Sequence, residues 1–328
     1  MSRRPARRLR RETLGKDLLE LLSVPSQELL GLLRLAGELK RKQRRGIVQQ
    51  HLQGKMLGLL FQKPSTRTRV SFEAGMNQLG GQAMVMPMAD IQLSRGESIA
   101  DTARVLSRYL DGLVIRTFDH AIVEEWAREA TIPVINGLTD LSHPCQALSD
   151  LFTIQEKKRR LRGLKIAYVG DGNNVTNSLI EVSAKIGISI AVGCPAGYLP
   201  DQHIVDRARM EAQQTGATVE ILQDPHVAVK DADVVYTDVW ISMGREREQA
   251  RRLKILAPYQ LNERLLKRAR PDAIVMHCLP AHRGEEITAA VLDGPQSVIL
   301  DQAENRLHVQ KAVLVRLLAR RGAALSRM

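Results

Sequence analysis

Lys55-Met56-Leu57-Gly58-Leu59-Leu60-Phe61 runs directly into Gln62-Lys63-Pro64-Ser65-Thr66-Arg67-Thr68-Arg69, an apolar stretch of strand length followed by a polar turn rich in hydroxyl and basic groups. A helical pattern takes over across Arg67–Leu79, so the segment reads strand, turn, helix. Working outward, the passage recurs. Gln82–Pro87, Gly112–Arg116 and Ile132–Asn136 read as strands, with helices predicted over Ser98–Leu110 and His120–Ala130. A helical start is predicted over residues 16–45 and a longer helix over His143–Arg160. The alternation then restarts, with strands predicted at Lys165–Val169, Ile188–Val192, Thr218–Leu222, Asp233–Thr237, Ala273–Met276 and Val298–Leu300, and a last helix over Asn305–Arg320. Strands alternating with helices are the signature of a parallel sheet covered on its faces. The expected fold is α/β: two doubly wound parallel-sheet domains with the active site in the cleft between them. The stretch Arg160-Leu161-Arg162-Gly163 marks the seam.

The chain has 328 residues, and single cores seldom grow beyond about 250–300 residues, which also argues for two domains. At 44% hydrophobic and 26% charged residues there is ample material for a core. Aromatics are 3%, too few for the stacking platforms of a single-strand nucleic-acid binder. The net charge of +12 raises a nucleic-acid partner, but Arg3, Arg4, Arg7, Arg8, Arg10 and Arg11 against Glu12 supply +5 of it in residues 1–12, which read as a disordered basic tail. The remaining basicity suits a small anionic substrate. Three cysteines, Cys145, Cys194 and Cys278, lack zinc-like spacing and fit a reducing cytoplasm. No apolar run reaches the roughly 18 residues of a membrane span, so neither a membrane nor a nucleic acid is expected as a partner.

Six stretches carry chemistry. Ser65-Thr66-Arg67-Thr68 opens a helix, where unpaired N–H groups and the helix dipole favour an anion; the same residues also read as a helix cap beside surface arginines. The glycines of a P-loop are absent. Arg116 ends an apolar strand at the sheet's carboxyl edge, where open α/β sheets bind ligands, or simply reaches solvent. His143-Pro144-Cys145-Gln146 places an imidazole and an amide one helical turn apart, able to face one ligand group; a structural histidine is the plainer reading. Val169-Gly170-Asp171-Gly172-Asn173-Asn174 begins like a dinucleotide fingerprint but lacks the third glycine and the acidic residue after the next strand, so a tight turn carrying amides is the better reading. Asp238 ends a strand and leads into Trp240-Ile241-Ser242-Met243-Gly244-Arg245, either a lid or a surface loop. His277-Cys278-Leu279-Pro280-Ala281-His282-Arg283 ends another strand; neighbours on a strand face opposite ways, which makes His277 and Cys278 a poor ligand pair. All six fall at the ends of predicted strands, and both halves contribute, which puts the site in an interdomain cleft.

Taken together and in order, Ser65-Thr66-Arg67-Thr68, His143-Pro144-Cys145-Gln146 and His277-Cys278-Leu279-Pro280 resemble the signatures of the aspartate/ornithine carbamoyltransferase family, and Asp238 with Ser242-Met243-Gly244 resembles the loop that marks its ornithine branch. The resemblance runs from about Lys16 to the C-terminus. It implies a carbamoyl-phosphate-binding domain over residues 1–155, an ornithine-binding domain over 156–304, and a C-terminal helix over about 305–328 that packs back on the first domain. It implies transfer of the carbamoyl group of carbamoyl phosphate to the δ-amine of L-ornithine, giving citrulline and phosphate; a related amine such as putrescine or acetylornithine is the alternative substrate.

By the same resemblance, Ser65, Thr66, Arg67 and Thr68 hold the phosphate, and Arg116, His143 and Gln146 the carbamoyl part, with Arg116 and His143 at the carbonyl oxygen. Gln92 reaches a neighbouring subunit's site in the family trimer. Asn174, Asp238, Ser242 and Met243 bind ornithine, and Cys278, Leu279 and Arg306 complete the carbamoyl phosphate site where the substrates meet. Arg116, His143 and Cys278 are the catalytic set, Cys278 as proton acceptor unless a leaving phosphate oxygen takes that part. Carbamoyl phosphate is already activated, so no cofactor and no metal is expected, and the assembly is expected to be a homo-oligomer, a trimer or a multiple of trimers.

Overall fold

A computed structural model describes residues 14–241 and 248–319. Among these, the expected alternation resolves into two parallel sheets. In the first, β1 (Met56–Phe61), β2 (Gln82–Pro87), β3 (Gly112–Arg116) and β4 (Val134–Leu138) lie in the order β2-β1-β3-β4. In the second, β5 (Lys165–Val169), β6 (Ser189–Gly193), β7 (Val219–Leu222), β8 (Val234–Thr237) and β9 (Ile274–His277) lie in the order β7-β6-β5-β8-β9. Every pairing within them is parallel. The central strands are apolar along their whole length because helices cover both faces: Leu57, Leu59 and Leu60 in β1 and Val234, Val235 and Tyr236 in β8 are fully buried. Tyr168 and Tyr236 stand side by side across β5 and β8 with ring centroids 5.9 Å apart.

In each sheet the strand order reverses once, between β1 and β3 and between β5 and β8. At such a point the connections leave on opposite faces and open a crevice at the carboxyl edge, where open α/β sheets take their ligands. Phe61 and Arg116, the last residues of β1 and β3, are paired in register there.

Three expectations need correction. Val298–Leu300 is not a strand. Val298 makes one ladder-like bond, its N–H to the Val275 carbonyl at 3.0 Å, and a helix starts at once and runs over Ile299–Leu318. A short apolar run does not by itself distinguish a strand from the first turn of a buried helix. The opening helix begins not near residue 16 but at Ser26, directly after Pro25. Residues before it run between the lobes and turn at 21–24: Leu18 bridges Ile135 of β4, the Leu21 N–H donates to Glu181, and the hydroxyl of Ser26, the helix's first residue, donates to the Lys185 carbonyl, both acceptors on the second lobe's helix Asn174–Ile186. The helix expected over Ser98–Leu110 is shorter, Ile99–Leu106.

The final helix leaves the second sheet and packs against three helices of the first lobe, Ser26–Arg44, Thr66–Gln78 and Pro144–Lys158. Its Val309, Ala312, Val313 and Leu314 are fully buried. No helix of the described residues is long and apolar enough to cross a membrane.

Candidate active site

Both crevices open into one cavity of about 920 Å³ between the lobes. It is lined by Ser65, Thr66, Arg67 and Thr68 from the turn after β1, Arg116 from β3, His143 and Gln146 from the turn after β4, and Arg306 from the final helix; facing them are Asn174, Asp238, Cys278 and Leu279. Gln92 stands apart, exposed in the 3-10 turn Gln92–Arg95 and outside this lining. Ser242 and Met243 lie outside the described residues.

The first wall is built for an anion. Ser65 caps the helix Thr66–Gln78 by accepting the Thr68 N–H at 3.3 Å, which leaves other first-turn N–H groups facing the cavity. Arg67, Arg116 and Arg306 converge on the same space. Arg306, on the final helix, is fixed there by donating to Gln146 Oε1 at 2.6 Å and to the Thr68 hydroxyl at 3.1 Å. Arg67 donates to the Leu279 carbonyl at 2.6 Å and so reaches across the cleft. Among the described residues, the buried Arg116 Nε, Arg306 Nε and His143 Nδ1 have no hydrogen-bond partner. Leaving such groups unmet costs about 1–3 kcal/mol each, so this wall carries polar capacity that the described residues do not satisfy.

Burial, together with the charges of Arg306 and Arg67, pulls the Arg116 guanidinium down to about 10. Burial and the same cations, with Arg116, hold the His143 imidazole well below its ordinary range, so it is neutral at pH 7. Its main-chain N–H is anchored on the Ser178 hydroxyl at 2.8 Å. A neutral imidazole beside an arginine can steady a carbonyl oxygen without bringing a further full charge to the site.

The opposite wall ends in a carboxylate. Asp238 follows β8 and is held from two sides: Cys278 Sγ donates to its Oδ1 at 2.9 Å, and Asn173 Nδ2 to its Oδ2 at 2.7 Å. Burial first, and then Asp238, push the Cys278 thiol well above its ordinary range. His277 and Cys278 do not diverge as adjacent strand residues would. The strand stops at His277, Leu279 takes a left-handed conformation (φ 59°), and the donor atoms of Asp238, His277 and Cys278 lie within 4.8 Å of one another. Both His277 nitrogens are engaged, Nδ1 by the Leu279 N–H and Nε2 by Glu286.

Sequence reading missed two parts of this wall. Asn173 reads in sequence only as part of a turn, yet it caps the helix Asn174–Ile186 and holds Asp238. Arg252 carried no signal at all. It is buried, stacks on the Tyr198 ring (4.8 Å to its centroid), pairs with Asp171 and Glu248, and donates to the Trp240 carbonyl at 2.6 Å. It thereby ties both flanks of residues 242–247 to the turn after β5. That turn needs its glycine: a Cβ on Gly172 would lie 2.2 Å from the Pro200 nitrogen and 2.4 Å from the Leu199 carbonyl carbon.

A crevice with an arginine-rich anion wall on one lobe and an anchored carboxylate on the other defines an enzyme that joins a phosphorylated donor to a cationic acceptor. Sequence comparison agrees: residues 16–156 match the carbamoyl-P binding domain, and residues 162–317 the Asp/Orn binding domain, of aspartate/ornithine carbamoyltransferases. The chain belongs to the aspartate/ornithine carbamoyltransferase family. Within it, the chain is 58% identical over 299 residues to the ornithine carbamoyltransferase of Syntrophus aciditrophicus, covering 91% of this chain and 98% of that one. It is 55% identical to the ornithine carbamoyltransferase of Thermococcus kodakarensis over 92% of this chain and 95% of that one. The solved ornithine carbamoyltransferase of Pyrococcus furiosus superposes with a TM-score of 0.90 at 54% identity, covering 93% of this chain and 97% of the other.

Proposed function

We propose that the chain transfers the carbamoyl group of carbamoyl phosphate to the δ-amine of L-ornithine, giving L-citrulline and phosphate. The observation that carries this reading is the pairing of unlike walls around one cavity: Arg67, Arg116 and Arg306 on one side, the doubly anchored Asp238 on the other. The phosphate sits on Ser65, Thr66, Arg67 and Thr68, and Arg116, His143 and Gln146 receive the carbamoyl group, with Cys278, Leu279 and Arg306 closing its site. Residues 1–155 with the final helix form the carbamoyl phosphate lobe and residues 156–304 the ornithine lobe. Asn174, Asp238, Ser242 and Met243 bind ornithine, and Gln92 completes the site of a neighbouring subunit in a cytoplasmic trimer.

The δ-amine must be neutral to attack. An alkylammonium of pKa ~10.4 costs about 4–5 kcal/mol to deprotonate at pH 7. A closed, dewatered cleft lowers that cost by disfavouring the charged form. Asp238 holds the α-ammonium, which keeps the second amine away from the carbon. The δ-nitrogen then bonds to the carbamoyl carbon, Arg116 and His143 steady the oxyanion, and the carbon–oxygen bond to phosphate breaks. Cys278 is protonated and already donating to Asp238, so the surplus amine proton leaves with a phosphate oxygen. The acyl donor is activated before it binds, and the step asks for no cofactor.

The test is a phosphate-release assay with ornithine, putrescine and acetylornithine side by side, each with carbamoyl phosphate. Ornithine is expected to give a kcat/KM at least about a hundredfold above the others, the discrimination expected when a buried carboxylate is left without its partner. Equal or better turnover of putrescine, which lacks the α-amino acid group, would remove Asp238 from substrate recognition and overturn the reading.

A further inference from the structure

The loop after β9 holds a second group of donors that the transfer reaction does not use. His282, Glu285 and Glu286 place His282 Nδ1 and one carboxylate oxygen of each glutamate within 4.8 Å of one another. His282 Nδ1 lies 3.8 Å from Glu285 Oε2 and 3.7 Å from Glu286 Oε2. The turn that brings them together is closed by the Glu285 N–H on the His282 carbonyl at 3.0 Å, with Gly284 left-handed at φ 92°.

Glu286 supplies the second observation. It is wholly buried, and its Oε1 is held by the His282 main-chain N–H at 2.5 Å and by His277 Nε2 at 3.1 Å. Its Oε2 is buried as well, accepts no hydrogen bond among the described residues, and lies 3.7 Å from His282 Nδ1. A buried carboxylate fixed through one oxygen, with the other directed at an imidazole nitrogen, is how outer-shell bonds set a metal-binding carboxylate. The nearest sequence cation does not satisfy the pair: Arg283 is spent on Asp293, with contacts of 2.8 and 3.0 Å.

We infer that His282, Glu285 and Glu286 form a binding site for a first-row divalent cation of the zinc class at the mouth of the cleft, separate from the reacting groups. Zinc bonds to imidazole nitrogen and carboxylate oxygen are about 2.0–2.2 Å long, which sets tetrahedral ligand atoms about 3.4 Å apart. The observed 3.7 and 3.8 Å from His282 Nδ1 are within a few tenths of an ångström of that spacing, and the two carboxylate oxygens lie within 4.8 Å of one another. The imidazole selects zinc-class ions over magnesium. His282 and Glu285 also line the substrate cavity, and Leu279 on the same loop accepts the cross-cleft bond from Arg67. A bound ion therefore stiffens the loop that touches both lobes. The competing donors, Asp238, His277 and Cys278, differ in containing a thiol and a histidine whose nitrogens are both engaged.

The probe is Co2+ titrated into the full chain, free of any affinity tag, at pH 7.5, followed by calorimetry and visible absorption. One ion per chain is expected, with d–d bands and no thiolate-to-cobalt charge transfer. His282→Ala and Glu285→Gln, both at solvent-accessible positions, are expected to weaken binding at least tenfold, and Cys278→Ser to leave it unchanged. Absence of stoichiometric binding, a thiolate charge-transfer band, loss of binding in Cys278→Ser, or unchanged binding in His282→Ala would each overturn the site. None of these readouts depends on turnover, so failure of the carbamoyl-transfer reading and failure of this one are distinguishable.

Discussion

Cys278 Sγ donates to Asp238 Oδ1 across 2.9 Å, so the thiol that ends β9 steadies the carboxylate that ends β8. Burial and that carboxylate both favour the protonated thiol. An ordinary cysteine is half ionised near pH ~8.5. Alkylation of Cys278 by iodoacetamide, followed by peptide mass spectrometry, is expected to rise about tenfold per pH unit through pH ~9.5 without bending over, and to be faster in Asp238→Asn. A half-maximal rate near pH ~8.5 or below would show a thiolate available for base chemistry.

Arg116 combines burial with an unmet Nε at the cavity wall. Removing one donor to a developing oxyanion generally costs about 10²–10³ in rate. Arg116→Ala is expected to lower kcat by at least about a hundredfold in a steady-state citrulline assay. A variant keeping most of its turnover would take Arg116 out of the transition state.

Gly172 has the main chain of Leu199 and Pro200 where a side chain would go. Neither neighbour is a flexible side-chain tip, so Gly172→Ala must displace the turn that carries Asn173 and Asn174. Overpacking of this kind costs about 1–3 kcal/mol. The expected result is a lower melting temperature and a KM for ornithine raised about tenfold or more through misplaced contacts, with the KM for carbamoyl phosphate little changed. Equal effects on both substrates would show that the turn does not serve one lobe's ligand.

Glu181 is buried against the segment before the first helix, accepting the Leu21 N–H at 3.2 Å. Burial, then Glu20, push its carboxyl up to about 8. The folded chain therefore holds this proton more tightly than the unfolded chain does. The stability it contributes is complete below the ordinary value of 4.5 and is lost as pH rises through about 8. Glu181→Gln lacks that loss. Its melting temperature relative to the parent is expected to rise between pH 5 and pH 8 by at least about 2 °C, the shift that ~1 kcal/mol produces in a chain of this size. A difference independent of pH would mean that Glu181 ionises freely in the folded protein.

Much of this architecture was legible before the structure. The central strands are continuous apolar runs, and the polar turns after them stand at the sheets' carboxyl edges, so Ser65, Arg116, His143 and Asp238 stand out in sequence by position as much as by type. What stayed hidden depends on partners far away in sequence. Arg252 reads as one more base on a polar helix, and only the fold brings Asp171, Tyr198 and Trp240 around it. Glu181 sits mid-helix with nothing local to mark its burial. Val298–Leu300 misled because apolar residues begin buried helices as readily as they form strands.

The helix Ile299–Leu318 also has a consequence for biosynthesis. Leu29, Leu32, Leu33 and Phe72 lie in the amino-terminal lobe, in one core with Val309, Val313 and Leu314 from the far end of the chain. A nascent polypeptide halted before residue 299 would already have made its first sheet and all of its anion-binding turn, yet would present an uncovered greasy face and lack Arg306. Maturation of the early lobe thus waits until Ile299–Leu318 has been translated, and chaperone capture during translation should concentrate on that face.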